Sequence, residues 1–518
     1  MRSVGCELTQ KKYAIIDIGS NTIRLVIYRR EQSDRLKEIE NVKAVARLRN
    51  FLSEDGFLAA EGITKLIEVL QVFQEVTRHH NLKEVKCVAT ATIRQAKNNE
   101  EILTRVNKET DFTMRVLSEY EEAYYGFLAV IHSTTYEHGI TIDIGGASTE
   151  ITYFENRKML HYHSFPFGAL SLKKQFIKGE IPEGTELVEL RAYLQEQFNS
   201  LEWIQNKQTP VIGIGGSARN LVHIHQEYTD YPLAGVHQYL MMKQDINDIS
   251  YFLQSMTFPQ LQRVEGLSKD RADIIIPAIE VFAVLMDSVQ SDKFVLSQKG
   301  LRDGLFYEQR TGPLGIPNVL DEAFNQLAID YSIDVNQVNQ ITNNALEIAQ
   351  LLNEVGLLPM ASEDIQRIKR GSFTYNLGTY IDSESSSQHT FYILANRTID
   401  GMHHRERVIT ALIASYKNKA AFKRYLRPYS QWFTKEELAT FRLMGAIIKF
   451  AYSLNATKRN IIDHIHLEDN LEELVFSVYC HKNWKPEEYQ VEKQKKHLEK
   501  LLDRSISVQF FKTGHILN

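Results

Sequence analysis

The chain has 518 residues, 43% hydrophobic and 24% charged, with a net charge of −5. It is too long for one core, ordinary in composition for several globular domains, and without the global basic signature of a nucleic-acid binder. Its three cysteines, Cys6, Cys87 and Cys480, are widely spaced. They offer neither a disulfide framework nor metal-ligand spacing, which fits a reducing compartment.

The first residues lack the apolar core of a signal peptide. The longest apolar stretch, about residues 274–286, contains Glu280 and is too short to span a bilayer. The expectation is a cytoplasmic protein with a buried helix there. Two β-rich apolar runs then flank Asp17-Ile18-Gly19-Ser20-Asn21-Thr22. They predict strand, tight polar turn, strand. Such a turn aims backbone N–H groups and hydroxyls into one concavity that suits a phosphate, and its leading acid suits a divalent cation or a water. Residues 38–49 continue as a strand. Residues 59–79 carry helical apolar spacing, 85–90 form a strand, and 91–96 a turn and helix start. A short strand at 116–117 precedes Ser118, an N-cap for the helix that Glu119-Tyr120-Glu121-Glu122-Ala123 opens. This α/β unit ends near residue 130.

The device recurs at Asp143-Ile144-Gly145-Gly146-Ala147-Ser148-Thr149-Glu150, again between apolar runs. A third turn, Gly213-Ile214-Gly215-Gly216-Ser217, runs from a strand into a helix whose N-terminus adds N–H donors. A polar helical region at 185–206 and a last strand at 293–297 complete a second α/β half. Residues 311–318 are a breaker-rich linker. Residues 319–455 read as almost entirely helical, with Pro428 and Trp432 in an interhelical loop. Strands at 464–467, 474–479 and 506–511 and a charged helix at 490–502 make a small α+β end. The expected domains are 1–130, 131–310, 311–455 and 456–518.

The three turns resemble those of the actin-like (ribonuclease H-like) ATPase superfamily. With residues 90–96 (Thr-Ala-Thr-Ile-Arg-Gln-Ala) and 118–123 they follow the order and spacing of the exopolyphosphatase / guanosine pentaphosphate phosphohydrolase family. This resemblance covers roughly residues 10–310. It implies two actin-like lobes and a phosphate-cutting cleft between them. The region from 319 resembles the helical appendage of the long members, related to HD-type metal phosphohydrolases, and those members imply a homodimer.

By that resemblance Glu122 is the general base that orients and deprotonates a water in line with the terminal phosphorus. Glu121 is the alternative beside it; neighbouring helix residues point about 100° apart, so one of the two faces the cleft. Asp143 and Glu150 hold Mg²⁺ directly or through waters, Glu150 also polarising the attacking water, and Asp17 is the matching acid of the first lobe. The ordinary alternative is a turn-capping Asp and a surface Glu. Arg94 is a bidentate phosphate clamp or a surface ion pair. Asn21, Ser148 and the amides of Gly145, Gly146, Gly215 and Gly216 complete the cradle.

Two departures shape the reading. Residues 271–279 lack the paired glycines of an adenosine loop, so ATP is not expected as a bound cofactor. In the helical region Tyr375-Asn376-Leu377-Gly378 and Tyr452 stand where an active HD site needs metal ligands, and His389, His403 and His404 lack carboxylate partners, so that region reads as non-catalytic. Lys417, Lys419, Lys423, Arg424 and Arg427, and a second group of Arg367, Lys369 and Arg370, are either solvated helix faces or a track for a polyanion. The expected function is an Mg²⁺-dependent exopolyphosphatase acting on inorganic polyphosphate. The alternatives are a guanosine pentaphosphate (pppGpp) 5′-phosphohydrolase or a non-hydrolytic sensor of polyphosphate or of guanosine penta- and tetraphosphate. A sugar-kinase-type phosphotransferase is disfavoured by the missing adenosine loop.

Overall fold

Residues 14–16 of the first strand are all buried, a continuous apolar run that requires cover on both faces of its sheet. The computed structural model, which describes residues 11–31, 36–82, 84–311 and 318–513, supplies that cover. Cys6 and most of the 311–318 linker lie outside the described residues. The chain forms two units, Met1–Ala323 with Asp400–Met402, and Phe324–Ile399 with His403–Asn518.

In the first unit, β1 (Lys12–Ile18), β2 (Thr22–Arg30), β3 (Leu36–Val45), β4 (Val85–Ala89) and β5 (Met114–Val116) form one sheet in the order β3-β2-β1-β4-β5. The other sheet has β6 (His138–Ile144), β7 (Thr149–Glu155), β8 (Lys158–Phe165), β9 (Val211–Ile214), β10 (Leu240–Met242) and β11 (Lys293–Leu296), ordered β10-β11-β9-β6-β7-β8. Read as β8-β7-β6-β9-β11, the second sheet repeats the first, including its antiparallel hairpin and parallel crossover. β10 is an added antiparallel edge. This is the duplicated lobe expected of an actin-like fold.

Each lobe has its own outer core, and a third core joins them. Ile15, Val26 and Val88 of the first sheet and Phe154, Ile212 and Val295 of the second enclose Phe127 and Val130 of the Glu119–Ile131 helix. Each such side chain contributes about 1.5–3 kcal/mol by burial. The Leu301–Thr311 helix crosses the same helix at Gly304, where a Cβ would overlap the Tyr125 backbone. The Ile275–Val289 helix is buried in the second lobe, as its apolar stretch predicts.

The structure corrects several boundaries. The third strand ends at Val45 rather than 49, because the amides of Ala46, Arg47 and Arg49 donate to the carbonyls of Asn21 and Ser20 and wrap a Leu48–Phe51 turn around the first phosphate-type loop. The polar helix is Gly184–Asn199, followed by a 3₁₀ turn at Glu202–Ile204. In the second unit the expected loop around Pro428 and Trp432 is a 3₁₀ turn, Arg427–Trp432. The charged C-terminal helix is two helices, Lys485–Gln494 and Lys496–Leu502.

The rest of the second unit follows the sequence reading. Its helices include Val335–Glu354, Ser362–Phe373, His404–Ala414, Lys419–Leu426 and Lys435–Ser453. The strands β12 (Ile462–Asp469), β13 (Glu473–Cys480) and β14 (Ser505–Lys512) form a sheet in that order. Ile465 N–H donates to Glu347 Oε1 at 2.9 Å, which ties the sheet to the Val335–Glu354 helix. Cys87 and Cys480 are buried free thiols. Among the described residues no helix is long and apolar enough to cross a membrane.

Candidate active site

The two lobes make their hairpin turns in the same way. Gly19 N–H donates to Thr22 O at 3.0 Å and Gly145 N–H to Ser148 O at 2.9 Å. In each, the acid sits one residue before the strand's end, and across the hairpin Asp17 faces Arg24 while Asp143 faces Glu150. The turns abut: a Cβ on Gly146 would stand 3.1 Å from Ser20 Cβ and 3.6 Å from Asn21 N. Gly215 opens the Gly215–Tyr228 helix at φ +82°, and a Cβ there would overlap Asp143 Oδ1. Only glycine takes this conformation without strain, so the third turn can press its amides against the acid of the second.

Together the turns enclose a cleft of about 190 Å³. Asp17, Asn21, Glu122, Asp143, Gly145, Gly146, Ser148, Glu150, Gly215 and Gly216 all line it. Arg94 does not line it. Its Nη1 donates to Glu122 Oε2 at 2.8 Å and to the Leu117 carbonyl at 2.9 Å. Its Nη2 is buried with no partner among the described residues. Ser118 and Glu121 close a capping box at the start of the Glu119–Ile131 helix, and Glu121 also pairs with Arg115. The cap occupies Glu121 and leaves Glu122 to the cleft.

Residues 26–311 match the model of the Ppx/GppA phosphatase family, and residues 319–500 match that of Ppx/GppA phosphatase, domain III. The chain belongs to the Ppx/GppA phosphatase family. It resembles the guanosine-5′-triphosphate,3′-diphosphate pyrophosphatases of Vibrio vulnificus (22% identical over 418 residues) and Pseudoalteromonas translucida (24% over 421 residues), each match spanning 78% of this chain and 80% of the relative. Among solved structures, the Aquifex aeolicus Ppx/GppA family member is 27% identical with a TM-score of 0.51, over 58% of this chain and 97% of that one. The fold also matches an exopolyphosphatase from Cytophaga hutchinsonii, at 22% identity and a TM-score of 0.53, over 58% and 98% of the two chains.

The electrostatics of this Ppx/GppA cleft are those of an uncompensated polar site. Burial, opposed by Arg94, raises Glu122 to about 7, and burial with Asp17 beside it raises Asp143 to about 6. Burial and the Glu122 charge hold Glu150 well above the usual carboxylate range, although Ser164 Oγ donates to its Oε1 at 3.0 Å. Burial likewise raises Asp17, against Arg302 and Arg24. Four arginines line the same cleft: Arg24, Arg219, Arg271 and Arg302. Burial and mutual repulsion lower Arg24 and Arg219, and burial lowers Arg271. Arg219 Nε, Arg302 Nη1 and both amide atoms of Asn21 are buried without partners among the described residues. Burying such groups unpaired is costly, and phosphate oxygens would relieve the cost.

These arginines were missing from the sequence reading. Arg24 had a signal, since it follows the first turn and faces Asp17. Arg219 lies one helical turn beyond Gly215. Arg271 and Arg302 arrive from distant segments and carry no local mark. Among the described residues no group of three or more His, Cys, Asp or Glu side chains is close enough to hold a metal alone. The carboxylates present fit a cation whose remaining ligands are phosphate oxygens and water.

In the second unit the basic group around residue 369 is spent internally: Arg367 bonds Asp364 and Glu406, and Arg370 meets Glu363. Tyr416, Phe422 and Tyr425 are buried, leaving Lys417, Lys419 and Lys423 exposed. The Tyr375 and Tyr452 rings pack with centroids 5.1 Å apart.

Proposed function

We propose that this phosphoanhydride hydrolase is an Mg²⁺-dependent exopolyphosphatase of the cytoplasm, releasing orthophosphate from the end of inorganic polyphosphate. The supporting observation is the meeting, in one cleft, of four arginines with depressed or unpartnered guanidinium groups and the buried carboxylates Asp17, Glu122, Asp143 and Glu150. The guanidinium nitrogens left without partners favour a polyanionic substrate over a neutral one.

The terminal phosphoryl group sits against the amides of Gly146, Gly215 and Gly216 and the side chains of Asn21 and Ser148, while the Gly145 amide, expected from the sequence to join them, is held by the Ser148 carbonyl. Glu122 accepts a proton from a water, whose oxygen attacks the terminal phosphorus while the bond to the bridging oxygen breaks. Orthophosphate and a chain one unit shorter leave. Arg94 opposes the effect of burial on Glu122 and so favours its ionised form. Asp143 and Glu150, with Asp17 across the cleft, would hold Mg²⁺, which neutralises phosphoryl oxygens. The second unit reads as a non-catalytic HD-like domain, supported by the tyrosine pair at its expected ligand positions. Homodimerisation is a further proposal.

A second reading, a guanosine pentaphosphate 5′-phosphohydrolase, is favoured by the pyrophosphatase names of relatives that match 78% of the chain. A sensor is disfavoured because the acids and Arg94 are all retained. The test measures phosphate release, with Mg²⁺, from long-chain polyphosphate and from guanosine pentaphosphate, for wild type and Glu122→Ala. Release from polyphosphate that the variant loses supports the proposal. Release from the nucleotide alone supports the second reading, and binding without release in the wild type supports a sensor.

A further inference from the structure

Residues 297–303 follow β11 and open the Leu301–Thr311 helix. Gln298, Gly300, Leu301, Arg302 and Asp303 of this segment line the cleft. In the duplicated sheets β11 matches β5, and the segment after β5 opens the helix that carries Glu122. Each lobe thus brings one charged group to the cleft from the start of the matching helix.

Both segments are held by a side chain from another element. In the first lobe Arg94 Nη1 donates to the Leu117 carbonyl. In the second, the Gln298 N–H donates to His237 Nδ1 at 3.2 Å. The flanking amides are tied separately: Ser297 N–H donates to the Gly213 carbonyl at 2.9 Å and Gly300 N–H to Asp303 Oδ2 at 3.0 Å.

His237 is 1% exposed. Its Nε2 lies 3.0 Å from the Ser133 carbonyl, just past the end of the Glu119–Ile131 helix, and 3.5 Å from Asp400 Oδ1. Asp400 belongs to the first unit despite its distance along the chain. An amide N–H only donates and a carbonyl only accepts, so the ring carries its proton on Nε2 and leaves Nδ1 as an acceptor. Arg302 Nη1 has no partner among the described residues, so nothing at that nitrogen resists a shift of its backbone.

We propose that His237 is a positioning residue for Arg302. As the neutral Nε2–H tautomer it fixes the Gln298 backbone, and with it the segment that aims the guanidinium into the cleft. Loss of the acceptor would leave an inward-facing N–H unpaired, a cost that a shift of the segment relieves. The inference rests on the reading of the cleft as a phosphoanhydride site and holds for either substrate.

The test uses the full chain carrying Glu122→Ala, titrated calorimetrically with sodium tripolyphosphate and Mg²⁺. Asn at position 237 can place its Oδ1 where Nδ1 stands; Gln reaches toward Ser133 but offers Gln298 no acceptor. His237→Gln should weaken binding at least about fivefold, and His237→Asn by less than about twofold. Arg302→Gln should weaken it at least as much as His237→Gln, and adding His237→Gln to Arg302→Gln should change nothing further. Equal effects of the two His237 variants, or a His237→Gln effect that persists undiminished beside Arg302→Gln, overturn the proposal. Thermal melts that fall alike in the Asn and Gln variants separate lost packing from lost positioning. NMR of nitrogen-labelled histidine, with His237 assigned by its absence in a variant, should show the Nε2–H tautomer at neutral pH. The Nδ1–H tautomer or an imidazolium there overturns the proposal without reference to binding. A parent chain that fails to bind tripolyphosphate counts against the functional reading of the cleft, and the tautomer then decides for His237.

Discussion

Arg94 Nη1 lies 2.8 Å from Glu122 Oε2 and shares itself with the Leu117 carbonyl. The guanidinium therefore acts on the base from outside the cleft. Burial pushes Glu122 up to about 7 and Arg94 is the leading opposing influence. The base is competent when ionised, so kcat/KM should rise with pH through about 7 and then level. Arg94→Met should move that limb up by roughly one unit and lower the rate at pH 7 about fivefold. A pH–rate profile of both proteins checks this, and an unmoved limb would remove Arg94 from the role.

Gly215→Ala should inactivate without dismantling the lobe. The added Cβ meets the Asp143 carboxylate at a residue held at φ +82°. A cost of about 1–3 kcal/mol in stability is expected from the strained backbone, with at least a roughly hundredfold loss of kcat as Asp143 is displaced. Chemical denaturation and steady-state rates measure the two effects separately.

Asp143→Asn should stabilise the protein while abolishing turnover. Asp143 is raised from 3.8 to about 6 in the folded chain. The folded state then binds the proton more tightly than the unfolded state. The contribution of this group is greatest below 3.8 and is lost as pH rises through about 6. The neutral amide escapes that loss, so the variant should gain about 1–3 kcal/mol at pH 8. The gain should vanish near pH 3.5, roughly where both forms are uncharged. Urea unfolding at the two pH values tests the sign.

Chelation of divalent cations should stop phosphate release yet leave the melting temperature of the substrate-free protein within about 2 °C. The reason is that no carboxylate cage exists among the described residues. Mg²⁺ alone should bind weakly, and tightly only with methylenediphosphonate present. Calorimetric titration with and without that analogue measures the difference.

The turns were legible because a nest of N–H groups is local. Asp17-Ile18-Gly19 and Asp143-Ile144-Gly145 each close their loop with hydrogen bonds inside four residues. The choice of Glu122 over Glu121 was half legible. The helix period separates the two side chains, but the Ser118–Glu121 capping box decided which one was free. Residues 46–49 misled because their amides pair with a loop some 25 residues earlier, which no local propensity records.

The two lobes also differ at one matched position, where Arg24 stands opposite Asp17 and Glu150 opposite Asp143. The sequence alone determined the duplicated strand–turn–strand lobes, the acids at their turns and the helical character of the region after residue 319. Those properties rest on hydrogen bonds and periodicities spanning a few residues. Only the tertiary structure decided that Arg24, Arg219, Arg271 and Arg302 share one cleft with those acids, and that Arg94 supports the base from behind. Electrostatic coupling depends on distance in space, and segments up to 278 residues apart (Arg24 to Arg302) meet there only after both sheets have packed on their common helix.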